Sequence, residues 1–383
     1  MKYNLSDICE YAKGKVDVTA LNEQTYISTE NMMPNKCGIT RASSLPTTAQ
    51  TQSFLAGDVL VSNIRPYFKK IWFADFDGGC SNDVLVFRAK EGVSKRFLYY
   101  ALADDAFFDY SMATSKGTKM PRGDKAAIMK YEVPHFTFEE QERIAGILEV
   151  LDSKIQLNSQ INENLAEQSQ AILGYFMEKH ECILKPLGDF ADIIDCLHSK
   201  KPDSVTDTTN QLIQLNNILD TGFLDLTSKY YISDSDYANW TRKCEIIEGD
   251  CVITNVGRIG AVSQAPEGTH AAMGRNMTCI RLKPQYPYYS YLITGLLSSH
   301  IQTEIKKNTD EGTIMGALNV KNIPLLQFPF FDSQIMTELE SQLHSIRKSI
   351  EMNYLTNQKL VILRDTLLPK LMSGEIDVSN IQI

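Results

Sequence analysis

Two stretches of the chain carry the same pattern of apolar and polar positions. In the first, an apolar stripe runs through Ile144, Leu148, Leu151, Ile155, Leu165, Ile172 and Phe176, broken by Asn158, Asn162 and Ser169. In the second it runs through Leu339, Leu343, Ile346, Ile350, Leu360, Leu367 and Leu371, broken by Asn353, Asn357 and Arg364. Spacings of three and four residues predict amphipathic helices. Thr137-Phe138-Glu139-Glu140 is a capping box at the head of the first, and Asp332 is a good N-cap for the second. Gly374 is a suitable C-cap. Each helix is expected to run about 40 residues, roughly 60 Å at 1.5 Å per residue. A polar residue in an apolar seam costs stability but fixes register. Packed antiparallel, the helices are expected to bring Asn158 near Asn357 and Asn162 near Asn353 as register-setting residues.

The stripes belong to a longer repeat. Leu5-Ser6-Asp7-Ile8 is echoed by Leu187-Gly188-Asp189-Phe190, and Gly57-Asp58-Val59-Leu60-Val61-Ser62-Asn63-Ile64 by Gly249-Asp250-Cys251-Val252-Ile253-Thr254-Asn255-Val256. Gly117-Thr118-Lys119-Met120 is echoed by Gly312-Thr313-Ile314-Met315. The offset grows from 182 to 192 and then stays at 195, so insertions fall in the N-terminal part of each copy. The runs after each Gly-Asp turn, together with Val84–Arg88 and Thr278–Arg281, read as strands, and 97–110 and 288–306 as helices. The fold class expected is α+β: two pseudo-repeated mixed α/β domains separated by two long antiparallel helices forming a coiled coil. The boundaries are 1–136, 137–180, 181–331 and 332–383.

Composition adds constraints. The net charge of −9 is unevenly spread: residues 1–136 carry a net +2, and the other segments are acidic. Nucleic-acid binding must then rest on local patches. The eight cysteines form no C-x-x-C pair and the histidines are scattered, so a metal site is not expected and reduced, mostly buried thiols are. No long apolar run predicts a membrane span or a signal segment, which makes the cytoplasm the expected compartment.

Several segments have the chemistry to meet DNA. The first holds Asn63, Arg65, Tyr67, Lys69 and Lys70; its counterpart holds Asn255 and Arg258 between glycines. A second holds Lys116, Thr118, Lys119, Arg122 and Lys125; its counterpart holds Lys306, Lys307, Thr313, Asn319 and Lys321. Arg275 and Asn276 are further candidates. Lysine and arginine hold phosphates, while arginine and asparagine also read base edges. These segments read equally as solvated loops, and Asn63 and Asn255 as turn residues bonding their own backbone.

The combination resembles the specificity subunits of type I restriction–modification systems. Gly117 to Pro134 followed by Phe138-Glu139-Glu140-Gln141-Glu142-Arg143-Ile144 looks like that family's central conserved region, and Leu363-Arg364-Asp365-Thr366-Leu367-Leu368-Pro369-Lys370-Leu371 like its C-terminal one. Asn255-Val256-Gly257-Arg258-Ile259-Gly260 looks like a turn of its recognition domains, although the first copy has Arg65-Pro66 where the second has Gly257-Arg258. The resemblance implies two target-recognition domains reading the halves of a split, asymmetric site in double-stranded DNA. It also implies helices that dock two DNA methyltransferase (modification) subunits, with a restriction/translocase subunit joining. No cofactor is expected in this chain; S-adenosylmethionine, ATP and Mg²⁺ would sit on partners.

An intrinsic DNA methyltransferase or nuclease is the alternative in a different class. Asn63-Ile64-Arg65-Pro66-Tyr67 lacks the double proline of an amino-methyltransferase motif. There is no G-x-x-x-x-G-K-[ST], and Pro202-Asp203 lies a hundred residues from Glu304-Ile305-Lys306. A non-catalytic coiled-coil scaffold with two protein-binding modules is the other alternative.

Overall fold

The computed structural model describes residues 2–310, 316–379 and 381. The chain divides into two compact units, residues 1–156 with 357–383, and residues 157–356. The division cuts through both long helices, so each unit holds one globular part and a half of each helix. Among the described residues, no helix is long and apolar enough to cross a membrane.

The long helices span Phe138–Lys179 and Ser333–Ser373. Thr137 and Glu140 form the capping box: the Glu140 carboxylate accepts from Thr137 N–H at 2.7 Å, and Thr137 Oγ1 accepts from Glu140 N–H at 3.3 Å. Asp332 Oδ1 accepts from the amides of Gln334 (2.9 Å) and Ile335 (3.1 Å). Gly374 closes the second helix at φ +77°, where a side chain would be strained. In the first unit Arg364 meets Asp152 at 2.8 Å, and Asn357 Nδ2 donates to the Ile155 carbonyl at 3.1 Å. In the second unit Asn162 Nδ2 donates to the Ile350 carbonyl at 3.2 Å, and Asn353 Nδ2 to Asn162 Oδ1 at 2.9 Å. Within each unit the paired halves therefore run antiparallel, and Asn162 and Asn353 meet as the stripe predicts.

The globular parts are built alike. The first has an antiparallel four-stranded sheet in the order Cys9–Tyr11, Val84–Ala89, Val59–Ser62, Ile71–Phe73. The second has Ala191–Asp195, Met277–Leu282, Cys251–Thr254, Val262–Gln264 in the same order. A smaller sheet follows in each, with a short parallel strand, Tyr26–Ile27 in one and Leu212–Ile213 in the other. The first smaller sheet has an additional strand, Lys15–Asp17, and the second part has an additional helix, Asp234–Trp240.

The segments read as single helices over 97–110 and 288–306 are helix pairs instead. They are Lys95–Ala103 with Asp105–Ala113, and Tyr289–Leu297 with Ser299–Lys307. The break falls at Asp104 and Ser298, both extended. Each accepts a hydrogen bond from the first turn of the next helix, Asp104 from Ala106 N–H (3.0 Å) and Ser298 from Ile301 N–H (3.3 Å). Apolar periodicity continues across the break; the capping residue is what stops the first helix.

The cores join sheet, helix pair and long helices. In the first unit Leu5, Val59, Phe87, Phe97, Leu102 and Phe107 pack with Ile144, Leu148, Leu368 and Leu371. In the second Leu187, Phe190, Ile253, Tyr291 and Phe328 pack with Leu173, Phe176, Leu339 and Leu343. The apolar stripes are thus the faces that bury against each globular part as well as against each other.

Candidate nucleic-acid interface

In each unit a strand ends on a buried asparagine, and the following residue pairs with a distant loop. In the first unit Ile64 bridges Arg122, Gly123 N–H donates to the Asn63 carbonyl (3.2 Å), and Arg65 N–H to the Pro121 carbonyl (2.8 Å). In the second Val256 bridges Ala317, and Leu318 N–H donates to the Asn255 carbonyl (2.9 Å). These residues are related by the offsets of 192 and 195 found in the sequence. The two basic segments of each copy therefore form one surface, although more than fifty residues separate them.

The side chains on that surface fall into two sets. Tyr67, Lys116, Thr118, Lys119, Arg122 and Lys125 are exposed in the first unit, and Arg275, Lys306, Lys307 and Lys321 in the second. Lys116 reaches Asp124 at 2.6 Å and Arg122 reaches Asp83 at 3.2 Å. The Lys116 contact and the amides of Ala127 and Ala126 hold the Asp124 carboxyl down at about 2.

The other described candidates make contacts within the fold, although Arg258 and Asn319 remain exposed. Asn63 is buried, and a Cβ on Gly123 would come within 2.8 Å of its Oδ1, so it fills space behind the 115–125 loop rather than reaching DNA. Asn255 is buried and bonds Thr278 through both ends of its amide, Nδ2 to Oγ1 at 2.9 Å and Oδ1 from Oγ1 at 3.1 Å. Arg258 donates to the Ile218 carbonyl at 2.7 Å and pairs with Asp220, tying down a neighbouring turn. Lys69 pairs with Asp105 at 2.7 Å, and Lys70 donates to the Thr29 carbonyl at 2.6 Å. Asn276 is half-buried at φ +63° in the turn between two strands, a position asparagine tolerates better than most residues. Asn319 caps the short helix Val320–Leu325, accepting from Lys321 N–H at 3.1 Å. Thr313, with its neighbours 311–315, lies outside the described residues.

Arg65 stands between the sets. Its backbone is left-handed at φ +50° and its Nε is buried without a hydrogen-bond partner, as is Asn63 Oδ1. The counterpart position is Gly257 at φ +86°. The loop therefore requires the same backbone twist in both copies, glycine supplying it freely and arginine at a cost.

Residues 1–167 match the family model described as the type I restriction modification DNA specificity domain. The type I restriction enzyme HindI specificity subunit of Haemophilus influenzae is 21% identical over 460 residues, spanning 98% of this chain and 99% of the relative. The type I restriction enzyme EcoDI specificity subunit of Escherichia coli is 28% identical over 120 residues, 31% of this chain and 27% of the relative. Over nearly its whole length the chain is similar to a specificity subunit of a type I restriction enzyme. Its fold is shared with the crystal structure of a type I restriction–modification S subunit from M. genitalium, at 16% identity, a TM-score of 0.54, and coverage of 97% of this chain and 96% of that one. The matched domain is one of DNA specificity, not of catalysis.

Two features of this chain escaped the reading of its sequence. Asp58 is clasped by Arg88 at 2.8 and 2.6 Å, and Asp250 by Arg281 at 2.8 and 2.5 Å. Both aspartates are 3% exposed, and each also accepts the amide three residues before it. The paired Gly-Asp turns and the arginine at the end of each long strand were the available signal. Secondly, the sheets bring Cys244, Asp250 and Cys279 within 4.8 Å of one another, a cluster that linear spacing does not show. Asp250 is already engaged by Arg281 there.

Proposed function

We propose that this chain is a specificity subunit that reads a bipartite, asymmetric site in double-stranded DNA, one half with each globular part. The single observation that carries the reading is the repeated loop junction, Ile64 with Arg122 and Val256 with Ala317, on frameworks of equal topology but with different exposed side chains. Equal frameworks place the loops alike, and unequal side chains address different bases. In the first half Lys116, Lys119, Arg122 and Lys125 hold phosphates, with Tyr67 and Thr118 beside them; in the second Arg275, Lys306, Lys307 and Lys321 do so.

In this reading the helices fix the gap between half-sites and dock two DNA methyltransferase subunits and a restriction/translocase subunit. Val150, Leu157, Met352 and Ile362 are exposed apolar residues on the helices and support a docking role. S-adenosylmethionine, ATP and Mg²⁺ act on those partners, in the cytoplasm. The test is footprinting of the complex with its modification subunits. Two protected stretches of unrelated sequence are expected, and exchange of residues 1–136 for another recognition unit is expected to change one of them. A complex that assembles and protects no DNA would favour a scaffold of protein-binding modules; methylation or cleavage by the isolated chain would favour an enzyme.

A further inference from the structure

The two globular parts differ most in one connection. The paired helices have nine residues each in both copies. The strand-to-strand loops 63–70 and 255–261 are nearly equal in length. The connection that follows the short parallel strand differs: residues 28–49 in the first part, and the longer 214–244 in the second, which contains the additional helix. Across this connection the repeat offset grows from 186, at Asn31 and Asn217, to 192, at Gly57 and Gly249.

Both connections start from the same peg. Asn31 Oδ1 accepts from Ser28 N–H (2.6 Å), and its Nδ2 donates to the carbonyls of Tyr26 (3.1 Å) and Thr40 (2.9 Å). Asn217 Oδ1 accepts from Gln214 N–H (2.7 Å), and its Nδ2 donates to the carbonyls of Asp225 (2.6 Å) and Ser228 (2.8 Å). Both asparagines are buried. Each buried asparagine takes the amide three residues before it and ties down two carbonyls, and the chain beyond it differs between the copies.

In the first unit this connection walls a cavity of about 370 Å³ whose lining includes Thr29, Thr40, Arg41, Ser43, Ser44 and Asp83. The cavity joins the candidate interface on two sides. Lys70 of the first basic segment donates to the Thr29 carbonyl, and Arg122 of the second holds Asp83. Arg41, Ser43 and Ser44 are exposed. Hydroxyls and a guanidinium beside a basic rim match what base edges offer between two phosphate backbones.

We propose that residues 28–49 are the base-reading element of the first recognition unit, with Arg41, Ser43 and Ser44 addressing base edges, while the basic loops 63–70 and 115–125 grip phosphates. The proposal rests on the reading of the chain as a DNA-specificity subunit. A variable insert on an invariant peg lets half-site sequence change without disturbing the framework. Sequence reasoning passed over the segment because it weighted clustered positive charge, and base readers need not be charged.

The test uses the full chain in complex with its modification subunits, with methylated sites mapped by sequencing across random DNA. Arg41→Ala/Ser43→Ala/Ser44→Ala leaves the Asn31 peg intact. It is expected to lower discrimination at one or more positions of one half-site by roughly tenfold, with the other half-site and the salt dependence of binding unchanged. Lys116→Ala/Lys119→Ala is expected to weaken binding to all sequences and flatten the salt dependence. An unchanged half-site in the triple variant, with methylation retained, overturns the proposal. Should the triple variant lose binding altogether, Ser43→Thr/Ser44→Thr, which keeps the hydroxyls and adds bulk, decides: an altered preference supports the proposal and an unaltered one overturns it. Absence of sequence-selective methylation by the unsubstituted complex would instead defeat the underlying reading.

Discussion

The two units solve the same attachment problem with opposite charges. In the first, Asp152 on the long helix accepts from the Tyr100 hydroxyl (2.8 Å) and pairs with Arg364 (2.8 Å), while Arg96 lies over the Phe73 ring at 3.9 Å and reaches Glu149 at 3.1 Å. In the second, the position 195 residues on is Arg347. It sits 3.5 Å over the Phe223 ring and donates to the Gly222 carbonyl at 2.8 Å, and Tyr354 stacks on Phe223 at 5.5 Å. Glu340 then accepts from the amides of Ser290 (2.9 Å) and Tyr291 (2.8 Å), the free donors at the head of a helix. Burial has raised the Tyr100 phenol and lowered the Arg347 guanidinium, the latter to about 10, as removal from water disfavours the charged form of each. What the repeat preserves is where an anchor is needed. Its chemistry is free to change, provided that its partner in the globular part changes with it.

The deepest test of that equivalence concerns the element that did not change. Asp58→Ala and Asp250→Ala each leave a half-buried arginine without its carboxylate and remove a buried turn acceptor. Each is expected to cost about 3 kcal/mol, measured as urea midpoints of the full chain. A large loss for one and none for the other would show that the two copies no longer rely on a common framework.

A smaller effect is expected where the copies differ in backbone chemistry. Arg65→Gly places in the first unit the residue that the second already has. Relief of the left-handed strain is expected to stabilise the fold by about 1 kcal/mol, visible as a higher melting temperature, and DNA affinity is expected to fall with loss of the guanidinium. A destabilised variant would mean that packing of the Arg65 side chain outweighs its backbone strain.

The smallest effect concerns Asp124, whose carboxyl is held at about 2 by Lys116 and two helix amides. Its value in the unfolded chain is near 3.9. A depressed acid contributes stability that is fully present above about pH 4 and is lost as pH falls through about 2. Amide exchange in the helix Lys125–Ile128 is expected to quicken over that window, and Asp124→Asn to remove the pH dependence. The second unit has Asn319 at the equivalent cap, a side chain without a carboxyl to protonate, so its turn is expected to show no such step.

The long helices were legible because a stripe forty residues long averages over its defects. Thr137, Asp332 and Gly374 mark three of the ends through side-chain and backbone preferences that act locally. The pseudo-repeat was legible because the insertions were confined to the stretch before Gly117 and Gly312. Individual DNA-facing side chains were not, and Asn63, Asn255 and Arg258 show why. Amide and guanidinium groups serve equally to bond buried backbone and to read bases, and which they do depends on atoms far away in sequence. The groove behind residues 28–49 was missed for the complementary reason, since hydroxyl-rich stretches look like ordinary loops.

The sequence by itself determined the repeat, the two helices and their polar defects, because those depend on periodicity and on contacts between near neighbours. Tertiary structure alone decided which loops share a surface, that Arg88 and Arg281 close on buried aspartates, and which cations stay exposed. Those outcomes hang on strand pairing across many tens of residues, where a single register sets the partners and local sequence carries no record of it.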